Sequence, residues 1–309
     1  MGTVSTQSGG FALSWGALRG LAAGLIAIAA TPLVLAEAAG GHAGGEHAAG
    51  VRRILVAGDS AAHSLIPYLR EAAAARGIEV HSAAIEGCGV IEGDLVVPPG
   101  SPAPELFIDY TVCPRTAPRL QIEKVAEHDP DLVLWMSGWE TWPFRRLDGQ
   151  MVEFGTFNGN LALAGAIDRA VGRLSAGGAR VVFLPLPPNA YPNVYDNPPE
   201  AEDEVGKRRL AGLMDDYAGR HAGVTTVVDV ADLLCPDGPP CPDQVGPGVR
   251  PRHIDGYHFG GPGAAWFAEE LLDLVLAPAP IHALTLSLPV PCANAGVGDP
   301  PAHDPSRCA

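Results

Sequence analysis

The sequence predicts an α/β fold, a three-layer α/β/α sandwich with a five-stranded parallel sheet between two layers of helices. Two observations lead there. Five short aliphatic and β-branched runs alternate with helical stretches between residues 52 and 277, and strands joined through helices pair in parallel, because a crossover is needed to bring each one back in the same direction. The residues that could do chemistry fall in loops just after the carboxyl ends of those runs, where such sheets bind ligands.

Arg53 to Ala57 reads as the first, buried strand and breaks at Gly58-Asp59-Ser60. Leu65, Leu69 and the Ala72 to Ala75 run then take helical spacing. A strand turning sharply into a helix exposes its turn residue at the sheet edge, beside the free N–H groups of the helix start. Ile78 to Ile85 is the second strand, ending at Glu86-Gly87-Cys88-Gly89-Val90. The Pro-rich stretch that follows, with Pro98, Pro99, Pro102, Pro104, Phe107, Tyr110 and Cys113, is too long for a plain connection and reads as a braced lid or pocket wall. Pro118 to His128 is a helix, and Asp131 to Met136 the third strand, closing at Ser137-Gly138-Trp139-Glu140-Thr141-Trp142. Phe157 to Leu174 is a helix ended by Gly177-Gly178, and Ala179 to Leu184 the fourth strand. Glu200 to His221 is a charged amphipathic helix, Val224 to Val230 the fifth strand, and Gly261 to about Leu276 the last helix.

The 309 residues suffice for one α/β domain with extensions, and 47% hydrophobic content is ample for its core. A net charge of −15 excludes a nucleic-acid binder, which needs a basic patch to neutralise phosphates. Residues 1–38 read as a secretory signal: Arg19 precedes the apolar run Leu21 to Leu35, and Ala36-Glu37-Ala38 is an A-x-A site. An uncleaved membrane anchor is the second reading, and under either one the rest of the chain lies outside the cytoplasm. Residues 39–51, rich in Gly and Ala, read as a flexible linker, 52–277 as the folded domain, and 278–309 as a Pro/Ala-rich tail. Six cysteines in an exported chain point to disulfides, and local spacing favours Cys88–Cys113, Cys235–Cys241 and Cys292–Cys308. No C-x-x-C pair supports zinc. No metal is implied, and no nucleotide or flavin cofactor, since no phosphate-binding glycine pattern follows the first strand.

A serine at the first strand-to-helix turn suits a nucleophile attacking a carbonyl. Near the other end, Asp255-Gly256-Tyr257-His258-Phe259 stands just ahead of the last helix. An Asp three residues before a His can accept from one ring nitrogen and leave the other to take a proton from Ser60. Gly87, or alternatively Gly89, could bring a backbone N–H to an oxyanion. Trp139 and Trp142 could wall a pocket or pack under the next loop. His63 has no carboxylate placed to orient it and reads as solvated or a cap partner, and His253 is a rival base to His258.

These blocks resemble the SGNH, or GDSL-like, hydrolase superfamily. Gly58-Asp59-Ser60 looks like its first block, Gly87 or Gly89 its second, and Asp255-Gly256-Tyr257-His258 its fifth, D-x-x-H, across residues 52 to 277. Val56-Ala57-Gly58-Asp59-Ser60-Ala61-Ala62, Gly87-Cys88-Gly89, Trp139-Glu140 and Asp255 to Phe259 are similar to the extracytoplasmic SGNH domain that follows the membrane unit of bacterial acyltransferase-3 type polysaccharide O-acetyltransferases. The resemblance implies a flavodoxin-like sandwich and an exported serine esterase or O-acyltransferase, acting as a monomer on acyl, chiefly acetyl, esters of carbohydrate. It assigns Ser60, Asp255 and His258 to a catalytic triad and the N–H groups of Ser60 and Gly87, alternatively Gly89, to an oxyanion hole, with the Trp139 indole as another candidate donor; Trp139 and Glu140 are candidate pocket residues. One departure stands out. The third block is G-x-N, and Gly138-Trp139-Glu140 puts an acid where the oxyanion-binding Asn belongs. That motivates an alternative reading, a non-catalytic cell-envelope binding domain on the same fold.

Overall fold

The computed structural model describes residues 50–96, 113–191 and 201–277, with side chains from 205 onward in the last range. The chain separates into two units, Met1–Ala48 and Ala49–Ala309, and all described residues belong to the second. The expected signal or anchor, most of the linker, the lid residues Pro98 to Tyr110, the tail and the Cys292–Cys308 pair lie outside the described residues. Among the described residues no helix is long and apolar enough to cross a membrane.

In chain order the elements are β1 (Arg53–Gly58), α1 (Ser60–Ala74), β2 (Glu79–Ser82), β3 (Asp94–Leu95), α2 (Cys113–His128), β4 (Leu132–Met136), β5 (Phe144–Leu147), β6 (Gln150–Glu153), α3 (Phe157–Leu174), β7 (Arg180–Phe183), β8 (Ala190–Tyr191), α4 (Ala201–Arg220), β9 (Thr225–Val227), α5 (Ala231–Leu234), β10 (Cys241–Pro242) and α6 (Gly261–Leu276). Five of the strands form one parallel sheet in the order β2-β1-β4-β7-β9, the expected five-stranded architecture. Alternation along β1 builds both layers, because successive strand side chains point to opposite faces. Ile54 and Val56 pack with Leu65, Leu69, Phe267 and Leu271 of α1 and α6. Leu55 and Ala57 face the other way, onto Val125, Ile167, Val171 and Met214 of α2, α3 and α4.

The order in which strands are added to the sheet reverses between β1 and β4. Helices leave these two strands on opposite faces and open a crevice at their carboxyl ends. Ser60 follows β1 and Ser137-Gly138 follows β4, so both lie at that crevice.

Three local features differ from the sequence expectation. α2 starts at Cys113 rather than Pro118, because Pro114 sits in the first turn, where a missing N–H costs nothing. Residues 143–156 form the hairpin β5–β6, which joins β3 in a three-stranded antiparallel sheet. Its turn is Asp148-Gly149, with φ of 50° and 78°, the geometry a two-residue hairpin demands. A small parallel pair, β8 with β10, lies apart from the main sheet.

Candidate active site

Ser60 is the first residue of α1. Asp59 caps the helix: its Oδ1 accepts from the Ala61 N–H at 2.8 Å. As one of the first four helix donors, the Ser60 N–H has no partner within the helix, and Ser60 itself is half-buried.

Residues 198 apart in sequence meet here. Ser60 Oγ lies 2.9 Å from His258 Nε2, and His258 Nδ1 lies 2.8 Å from Asp255 Oδ2. The other oxygen, Asp255 Oδ1, accepts from the Tyr257 and His258 N–H groups at 2.9 and 3.0 Å. Burial alone would raise the Asp255 carboxyl. The His258 ring and those two N–H groups outweigh it and hold the carboxyl below its ordinary range. An ionised Asp255 selects the tautomer in which Nδ1 carries the proton, so Nε2 accepts from the Ser60 hydroxyl.

Several fastenings hold the two ends together. Ser64 Oγ, itself donating to the Ala61 carbonyl, accepts from the Phe259 N–H at 2.9 Å. Tyr68 Oη accepts from the Gly261 N–H at 2.9 Å. Arg252, buried, donates to the carbonyls of Pro188 and Gly256.

Asp59 is a junction to which sequence reasoning gave no role of its own. It is fully buried. Its Oδ2 accepts from the Gly138 N–H at 2.8 Å, the Tyr257 hydroxyl at 3.1 Å and the Ser137 hydroxyl at 3.2 Å. One carboxylate thus ties the turn after β1 to the turn after β4 and to the His258 loop. Its pKa is raised, mainly by burial; the Gly138 N–H pulls the other way, and the charge of Glu140 adds to the rise.

Ser60, Gly87, Trp139, Asp255 and His258 line an open cavity of about 500 Å³. Gly87, at φ 72°, takes a conformation that L side chains rarely adopt. Gly89 is not among the lining residues. It packs against the Glu140 carboxylate instead, where a Cβ would come within 2.6 Å of Oε1. Between the two alternatives, the structure puts Gly87 at the cavity.

Glu140 requires a correction. It does not line this cavity. The side chain is buried, turned toward the loop after β2, and its Oε1 accepts from the Val90 and Ile91 N–H groups at 2.6 and 3.3 Å. In the short 3₁₀ turn Trp139–Thr141, Trp139 lines the cavity while Glu140 is buried. The Glu140 carboxylate is therefore turned away from the cavity that Ser60 lines. Trp142 stays behind the wall, stacked on Trp139 and donating to the Val96 carbonyl at 3.0 Å.

The rim carries His63, Glu86 and His253. His63 does have a carboxylate neighbour, contrary to expectation: Glu86 Oε1 is 3.7 Å from its Nε2, with both side chains exposed. It lies one turn after Ser60 on α1, and the Ser60–His258–Asp255 hydrogen bonds do not involve it. Two of the expected disulfides are present, Cys88–Cys113 behind Gly87 and Cys235–Cys241 in the loop after α5. No cluster of metal-ligating side chains occurs among the described residues.

The family model described as "SGNH domain (fused to AT3 domains)" matches residues 33–273. The chain belongs to the SGNH family. It is an SGNH-type ester hydrolase or acyltransferase. Among solved structures, it is similar to the periplasmic domain of a Salmonella ser. Paratyphi A lipopolysaccharide acetyltransferase, at 15% identity over 72% of this chain and 82% of that one, with a TM-score of 0.46. It is similar to a GDSL-like lipase from Bacteroides thetaiotaomicron, at 13% identity over 73% and 87%, TM-score 0.44. It is also similar to the C-terminal catalytic domain of Streptococcus pneumoniae peptidoglycan O-acetyltransferase A, at 14% identity over 73% and 94%, TM-score 0.38. No curated protein matches the sequence.

Proposed function

We propose that this SGNH protein is an exported serine enzyme that removes or transfers a short acyl group, acetyl first, on a carbohydrate ester. The observation that carries the reading is the unbroken Ser60–His258–Asp255 chain opening onto a cavity. His258 Nε2 takes the Ser60 proton as Oγ attacks the ester carbonyl. Negative charge then develops on the carbonyl oxygen, and the N–H groups of Ser60 and Gly87 donate to it. The C–O bond to the leaving alcohol breaks, and that oxygen receives the proton from His258. Water or a sugar hydroxyl next gives its proton to His258 and attacks the acyl-enzyme, which frees Ser60. Asp255 stays ionised throughout and balances the imidazolium.

The cavity wall supports a small, polar substrate. One indole, Trp139, offers a flat face for a sugar ring, and the rim offers the hydrogen-bonding groups of His63, Glu86 and His253. A single large apolar side chain on the described wall gives a long acyl chain little to bury. The apolar stretch near the amino terminus and the two disulfides support placement outside the cytoplasm.

The test is hydrolysis of p-nitrophenyl acetate by the mature protein beside Ser60→Ala, with labelling by a fluorophosphonate. The expected result is a loss of about 10⁶-fold in kcat and of all labelling in the variant. Ordinary turnover by Ser60→Ala would refute the assignment.

A further inference from the structure

We propose that Glu140 is a positioning residue for the oxyanion side of the site: it holds the backbone that presents Gly87 beside Ser60. The inference rests on the Ser60 chemistry proposed above.

The loop after β2 has few ways to hold its own shape, since it pairs with no strand between Gly87 and Gly93. Its N–H groups at Val90 and Ile91 are buried and need acceptors. Glu140 Oε1 supplies one acceptor for both, across 50 and 49 residues of chain. The approach is so close that position 89 has no room for a Cβ. From the opposite side, Gln121 of α2 donates to the Val90 carbonyl at 2.6 Å.

A buried carboxylate would be costly alone. Arg145 on β5 offsets it. The residue is 4% exposed, and its guanidinium donates to the Trp139 carbonyl at 2.6 Å and the Gly93 carbonyl at 3.3 Å. Burial pushes Arg145 down to about 10, and the charge of Glu140 opposes the fall. Arg145 is therefore still a cation at neutral pH. Both charges bridge the same two segments, the turn after β4 and the loop after β2. Glu140 Oε2 is buried with no hydrogen-bond partner among the described residues, and Glu140 and Arg145 both line a small cavity of about 10 Å³. All of its direct hydrogen bonding goes through Oε1 to the Gly87 loop. At the position where the family pattern puts an Asn aimed at the reacting oxygen, this chain has an acid aimed at the backbone behind it.

The test compares Glu140→Gln, Glu140→Asn and Glu140→Ala in the whole protein, reading kcat and KM for p-nitrophenyl acetate together with amide hydrogen exchange at Val90 and Ile91. Glu140→Gln keeps an acceptor at the same reach, so kcat stays within about fivefold of wild type. Glu140→Asn and Glu140→Ala release the loop. Their kcat falls about 10²-fold, with KM within about twofold, because a displaced N–H is missed only as charge develops. Their Val90 and Ile91 amides exchange faster, while amides in β4 do not. Should Glu140→Ala fail to fold, Gln and Asn still differ by one methylene and decide the matter. A rise in kcat in Glu140→Asn would overturn the inference, because position 140 would then face the reacting oxygen. Unchanged exchange at Val90 and Ile91 in Glu140→Asn would overturn it too. A wild type without Ser60-dependent turnover defeats the Ser60 reading, and that failure is distinguishable because exchange reports on the loop without any turnover.

Discussion

The two sides of the Ser60 cavity are built by different physics. On the base side, side chains do the work in partly open space: Ser60, His258 and Asp255 form a polar relay in which every contact is a hydrogen bond between named functional groups. On the side proposed to bind the oxyanion, Gly87 would contribute only backbone, and the groups behind it are buried: the Glu140 carboxylate, Arg145, Gln121 and the Cys88–Cys113 bridge. One side tolerates exposure because imidazole and carboxylate are at home in water. The other must be rigid, because a donor helps only if it already points at the spot where charge will appear.

The largest expected difference comes from the base side. In Asp255→Asn the carboxamide still accepts from the Tyr257 and His258 N–H groups, but it favours the wrong His258 tautomer. The expected loss is about 10⁴ in kcat, with the melting temperature changed little beside that. Steady-state kinetics on p-nitrophenyl acetate measure it. A kcat within about tenfold of wild type would mean that the relay is not the source of the rate.

That asymmetry also explains what the sequence discloses. The strand–turn–serine junction and the D-x-x-H loop are legible because a serine at a turn after a buried strand and an Asp three residues before a His stand out by type and spacing, and the structure brings the two together. The five parallel strands are legible because buried runs of Ile54-Leu55-Val56 type leave few alternatives. Gly87 and Gly89 look alike in sequence, and only the packing of Glu140 separates them. Glu140 itself misleads, since a one-dimensional alignment of G-x-N blocks carries no information about which way a side chain leaves a 3₁₀ turn. The hairpin β5–β6, which brings Arg145 to Glu140, did carry a signal in Asp148-Gly149. The charged run Phe144-Arg145-Arg146-Leu147 hid it, because a buried arginine in a short strand reads as solvent-facing until its partner is known.

The disulfides sharpen the contrast at intermediate cost. Cys88–Cys113 closes 25 residues and sits behind Gly87, whereas Cys235–Cys241 closes 6 and lies away from the cavity. Chain-entropy arithmetic gives about 3.5 kcal/mol for the first bridge and about 2 kcal/mol for the second. Replacing each pair by serines should therefore lower stability in that order, read from urea unfolding. Only the Cys88 and Cys113 replacement should also lower kcat with KM preserved. Equal kinetic loss from the two replacements would show that the bridge near Gly87 has no special part in the oxyanion side.

The smallest effect falls on Asp59, which belongs to both sides. Asn in its place must lose an acceptor toward the Ala61 or Gly138 N–H, at roughly 1–2 kcal/mol. The pH dependence has a definite sign. Burial raises the Asp59 carboxyl above its unfolded value, so the native state holds that proton more tightly. Its contribution to stability is present below the unfolded carboxylate pKa and is lost as pH rises through the raised native one. Asp255 runs the opposite way: its native pKa is depressed, so its contribution is present above the unfolded value and is lost as pH falls through the native one. The stability deficit of Asp59→Asn relative to wild type should accordingly be largest in acid and shrink as pH rises across the raised Asp59 titration. That of Asp255→Asn should shrink as pH falls. Urea midpoints of the three proteins across the acid range to neutrality measure both slopes. A deficit in Asp59→Asn that grows toward neutral pH would mean that Asp59 is ionised and favourably held in the native state. The three-way junction it makes with Gly138, Ser137 and Tyr257 would then stabilise the charge by more than burial opposes it.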